Sequence, residues 1–166
     1  MAVTSDILRS YRHPRRVMRE LLAQGRREDR ALAFLMLGCG LMFVAQWPAL
    51  ARAAELDPSV PLQARIGGAL VGAMFMLPLL MYLLAGLAHL GLRAAGWRSG
   101  GYSSRLALFW AFLATSPLAL FHGLLRGLAG PGAATQLVGV LVLGAFLALW
   151  IAGLREAALE PGGTRA

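Results

Sequence analysis

Two histidines and two prolines are the residues of this 166-residue chain whose type and position could do chemistry inside long apolar runs. His89 stands near the end of one run, and His122 stands sixteen residues past the start of the next, roughly 24 Å along a helix. Successive membrane spans run antiparallel, so the two rings are expected in opposite leaflets, unable to clamp one haem or one metal ion together. Each is expected instead to be a polar group bonded to a neighbouring helix or to the interface. Pro78 and Pro117 lie fifteen and twelve residues from Arg93 and Arg105, near mid-membrane. Each removes a backbone donor, frees a carbonyl one turn earlier and can kink or hinge its helix. Broken helices of this kind surround the substrate in transporters. With no charged group in the region, kinks that improve packing are the favoured reading.

Other chemistry is hard to assemble from what remains. From Pro58 through Arg155 there is no Asp or Glu, which removes paired-carboxylate catalysis and a carboxylate proton relay within the membrane. Too few ligands are left for a metal centre. No Ser-His arrangement and no Gly-rich phosphate loop after a strand is present. No enzyme activity, catalytic residue, cofactor or metal is expected, and Cys39, the single cysteine, reads as apolar filler.

The elements that carry these residues are membrane spans. Residues 66–92 hold no charge over 27 positions and 106–125 hold none over 20. About 20 apolar residues cross a hydrocarbon core of roughly 30 Å. The chain is 58% hydrophobic and 14% charged, against about 25% charged for soluble domains. An all-α integral membrane protein with four spans is therefore expected: 31–50, 66–92, 106–125 and 133–154, within a membrane domain of 31–154. Gln46, Trp47 and Pro48 are expected to end the first span, followed by a loop over 51–65. A tail occupies 155–166.

Residues 1–30 are polar, charged and basic, and no secretory signal peptide is expected there. Two short helices are expected, the first capped by Thr4 or Ser5 and the second starting at His13-Pro14 and ending at Gly25. Val17, Met18, Leu21 and Leu22 form an apolar stripe on the second, flanked by Arg15, Arg16 and Arg19. That pattern fits a helix lying on an anionic membrane surface, and equally one packed on its own bundle. The net charge of +8 comes from 16 arginines and no lysine. With abundant Ala, Gly and Leu, this points to a GC-rich bacterial coding sequence. Half of the arginines lie in the first 30 residues, beside a span, so membrane lipid rather than nucleic acid is the expected anionic partner. Thirteen arginines fall on the side of the termini and three on the other. This places both termini in the cytoplasm of a bacterial inner-membrane protein. Trp97, Tyr102, Trp110 and Trp150 fall near the same face and Trp47 near the other.

The segments "HPRRVMREL", "LAGLAHLGLRAAG", "GGYSSRLALFWAFLATSPL" and "LWIAGLREA" together resemble the bacterial branch of the YIP family, over roughly residues 11–157. That family is named for eukaryotic relatives that interact with Ypt/Rab GTPases. The resemblance implies a non-enzymatic polytopic protein related to trafficking and membrane-shaping proteins. Family members usually show five spans, and eukaryotic ones carry a "YGP" stretch that this chain lacks, so no Rab-type partner and no functional residue is carried over. The function expected is a non-catalytic protein that binds other membrane proteins, or itself, or organises lipid. A small transporter or channel at the Pro78/Pro117 level, or an accessory subunit of a larger complex, is the alternative.

Overall fold

The computed structural model describes residues 3–96 and 100–159. Every regular element among them is helical: α1 (Val3–Arg12), α2 (Pro14–Ala23), α3 (Glu28–Leu56), α4 (Leu62–Val71), a π turn (Gly72–Met76), α5 (Leu77–Ala94), α6 (Gly101–Leu128) and α7 (Ala133–Leu159). Four stretches are long and apolar enough to cross a membrane, namely α3, the continuous run Leu62–Ala94, α6 and α7. The chain is an all-α polytopic membrane protein. Thr4 and Ser5 lie inside α1 rather than at its cap. Trp97 and residues 160–166 of the expected tail lie outside the described residues.

Proline and glycine set most boundaries. Pro14 occupies the first turn of α2 and forces His13 out of helical geometry (φ −136°), because its ring crowds the preceding residue. Gly25, with φ of 81°, adopts the left-handed conformation that ends α2. Pro48, by contrast, does not stop the first span. α3 runs through it to Leu56, and the expected 51–65 loop shrinks to residues 57–61. In a membrane helix the donor lost at proline is tolerated when neighbouring helices accommodate the distortion, and here Pro48 packs directly against Gly127 of α6. The remaining turn is tied by Asp57, whose carboxylate accepts from the Ser59 backbone at 3.1 Å and from Arg65 at 3.0 Å. The Ser59 bonds, then Arg65, hold its carboxyl below the usual range.

The bundle is organised around α6. Of the most apolar eighteen residues of each span, 61% are buried in α6, against 33% in α3, 17% in the Leu62–Ala94 span and 11% in α7. α3 offers α6 the stripe Ala31, Phe34, Leu35, Gly38 and Cys39, spaced three and four apart as one helix face requires, with Ala45 two turns beyond Gly38. The two helices run parallel, since Arg105 pairs with Glu28 at one end and Arg52 donates to the Gly127 and Leu128 carbonyls at the other. Their approach depends on glycine. A Cβ on Gly123 would collide with the Ala45 carbonyl, one on Gly127 with Pro48, and one on Gly38 would sit 2.6 Å from the Phe112 ring. Gly68 and Gly72, another pair with the same spacing, face open space.

The two pairs should therefore respond oppositely to one added methyl. Gly123→Ala should destabilise the protein in detergent by about 1–3 kcal/mol, as overpacking does. Gly68→Ala should be neutral or stabilising by up to about 1 kcal/mol through helix propensity. Thermal unfolding of the two variants checks this.

Candidate functional site

The N-terminal helices are built into the bundle. Val17, Met18, Leu21 and Leu22 are all buried, and α2 lies against α7 while α1 lies against α6. Of the two readings open to this stripe, a face laid on lipid or one packed on its own bundle, the structure shows the second, and the membrane-surface assignment of Val17, Met18, Leu21 and Leu22 is corrected: a helix-period stripe serves a protein face as well as a membrane. Two long-range hydrogen bonds hold α1. Trp110 Nε1 donates to Ser10 Oγ at 3.0 Å in a buried site, and Tyr11 donates its hydroxyl proton to the Ala114 carbonyl at 2.6 Å. Arg30 clasps the far end of α2, donating to the Leu21 carbonyl at 2.8 Å and to Tyr102 at 3.1 Å. Arg19 reaches Glu156 of α7 at 3.0 Å.

With its apolar face inward, α2 leaves its arginines outward. Arg12, His13, Pro14, Arg15, Arg16 and Arg19 line an open cleft of about 550 Å³ at the α1–α2 corner. Arg16 is held by Glu20 at 3.2 Å and Arg9 by the same carboxylate at 2.9 Å. The bond from Arg9 is the main cause of a lowered Glu20 carboxyl pKa. This contact therefore supports the hairpin above the ordinary carboxylate pKa and is lost as pH falls through the lowered value. Arg12 and Arg15 have no side-chain partner among the described residues.

The intramembrane candidates do not converge. His89 sits beside Gly101 at the N-terminal end of α6, whereas His122 packs on Gly139 near the start of α7. The Nδ1 of His89 is buried and finds no partner among the described residues. No group of three or more His, Cys, Asp or Glu side chains is placed to hold a metal ion among those residues. Pro78 follows the π turn, in which Leu77 N–H bonds the Gly72 carbonyl. Such a turn re-registers a helix where a proline has removed a donor. Pro117 faces out of the bundle. The Leu113 carbonyl that it orphans accepts from Ser116 Oγ at 2.7 Å, and Thr115 donates to Ala111 at 2.8 Å. Ser116 thus supplies the donor that Pro117 removes, and both hydroxyls are satisfied within α6.

One feature escapes the linear pattern. Gln46, His122 and Arg126 edge a groove of about 490 Å³ between α3 and α6, floored by Ala45, Ala49 and Ala119 and also lined by Phe112 and Leu77. No motif marks it, because its polar residues come from two helices nearly 80 positions apart.

The Ser10–Trp110 bond links residues 100 positions apart and gives the docking of α1 a measurable value. Ser10→Ala and Trp110→Phe should each lower stability, and a double-mutant cycle should show coupling of about 1 kcal/mol, the usual net worth of a hydrogen bond. Compared with known proteins, the chain matches no family model, no curated protein and no solved structure. Its side-chain arrangement must therefore carry the functional reading.

Proposed function

We propose that this protein is a non-catalytic, multi-pass protein of a bacterial inner membrane, with both termini cytoplasmic. On this reading it associates with other membrane proteins, or with itself, and with anionic lipid. The observation that carries the reading is the uneven use of apolar surface. α6 is enclosed from Tyr102 to Ser116, while the second and fourth spans turn most of their apolar residues outward. Phe75, Leu79, Leu83, Leu87 and Leu90 on one, and Leu137, Val140, Leu141 and Leu143 on the other, are all exposed. Such faces suit lipid or a partner's spans. The likeness to the bacterial YIP branch points to the same class of function and belongs to this proposal.

A transport path at the Pro78/Pro117 level has less support. Pro117 looks outward, Thr115 and Ser116 are satisfied within α6, and Phe112, which lines the groove, has its ring close against Gly38.

Two measurements test the proposal together. Single cysteines replacing Met81 or Thr115, in a Cys39→Ala background in sealed vesicles, should resist a membrane-impermeant thiol reagent from both sides. Mild-detergent purification should bring down a reproducible membrane partner or a second copy of the chain. Clear labelling at both positions would favour a water-filled path and set the binding reading aside.

A further inference from the structure

The basic corner of the α1–α2 hairpin lies at a different height from the apolar surface of α5. Tyr82 of α5 stacks edge-on against Phe109 of α6, with ring centroids 5.0 Å apart, so Tyr82 and Phe109 share a level. Beyond Tyr82, toward the end carrying Gly101, α5 continues to expose Leu83, Leu87 and Leu90. Leu90 is eight residues past Tyr82, about 12 Å further along the helix. On the hairpin flank, Ser10 is bonded to Trp110, the neighbour of Phe109. α2 then climbs back from this corner toward Tyr102, where Arg30 clasps the Leu21 carbonyl. The corner with Arg12, His13, Arg15 and Arg16 is therefore the deepest part of the hairpin. With Ser10 at Trp110 and Tyr11 reaching Ala114, it stands at or below the level of Tyr82, at least about 12 Å below the apolar edge at Leu90.

We propose that this corner is a binding notch for the phosphate headgroups of anionic phospholipid, drawn in below the level of the leaflet on the α5 flank. The chemistry is guanidinium to phosphate. No carboxylate lines the cleft, and the nearest ones are engaged: Glu20 by Arg9 and Arg16, and Glu156 by Arg19. Arg12 and Arg15 remain to grip the ligand, and burial of Val17, Met18, Leu21 and Leu22 holds the corner rigidly at that height. A flat annulus of lipid cannot match apolar surface at Leu90 and arginine at least about 12 Å lower at the hairpin corner. Local thinning relieves that mismatch, so a single copy of the chain imposes a step on its leaflet. The inference rests on the membrane reading above.

The test uses the full chain in nanodiscs of phosphatidylcholine with a minor fraction of phosphatidylglycerol. Native mass spectrometry should find phosphatidylglycerol enriched on the wild type, with enrichment falling about fivefold for each arginine removed in Arg12→Gln/Arg15→Gln. Arg26→Gln/Arg27→Gln, which removes equal charge from exposed residues outside the cleft, should retain the enrichment. In a Cys39→Ala background, a nitroxide on Arg16→Cys should strongly relax lipid phosphorus, and one at similar height on Leu83→Cys should not. Equal enrichment in both double variants and wild type, or an equal fall in both, overturns the notch. Equal phosphorus relaxation by the two labels overturns the step. Tight binding of inorganic phosphate without preference for phosphatidylglycerol overturns the lipid assignment. A water-exposed label at Leu83 refutes the membrane reading and the inference with it, whereas the other outcomes leave that reading standing.

Discussion

The enclosure of α6 between Tyr102 and Ser116 is the constraint on which the rest of this structure depends. Every residue of that stretch except Arg105 is buried, and three neighbouring spans do not surround the helix alone. The remaining face is taken by α1, which offers Ser10 to the Trp110 indole and Tyr11 to the Ala114 carbonyl. Both contacts satisfy polar atoms that would be costly to leave unpaired in an apolar setting. α2 then follows, because Arg9 and Glu20 tie it to α1 and Glu156 meets Arg19 from α7. What reads in sequence as a basic extension is thus a fourth wall around α6. Its outward arginines are a by-product of turning its apolar stripe inward.

Close packing of α3 on α6 supplies the second constraint. Gly123 and Gly127 let the backbones meet where any side chain would collide, and Gly38 makes room for the Phe112 ring. Without a hydrophobic driving force between helices in lipid, such van der Waals contact and interhelical hydrogen bonding hold spans together. Arg52 completes the pairing by bonding the last carbonyls of α6, where a cation complements the helix dipole. With α6 so well served, little of the second and fourth spans is needed inside. That division of one buried helix and two outward-facing ones underlies the reading of the protein as one that binds within the membrane.

The apolar spans were legible because charge-free runs of this length have few other uses, and Pro14 marked its helix start through a local steric rule. Other features needed the third dimension. Pro48 resembles a stop signal, yet a neighbouring glycine lets the helix pass. Gly68-xxx-Gly72 and Gly123-xxx-Gly127 are alike as strings, and only the second meets a partner helix. The Val17/Met18/Leu21/Leu22 stripe has the same period whether it meets lipid or protein. Ser10, Arg30 and Tyr102 carried no motif, since each acts on a residue far away in the chain. Nor did spacing hint that Ser116 would serve the carbonyl freed by Pro117.

Amide hydrogen exchange of the full chain in nanodiscs tests the enclosure most directly. If the hairpin is a wall of the bundle, amides of Val17 to Leu22 should exchange as slowly as those of Leu106 to Leu113. Trp110→Phe should speed exchange in α1 more than in α3. Rapid exchange throughout α2 at neutral pH, unchanged by Trp110→Phe, would contradict the account and return the helix to the membrane surface.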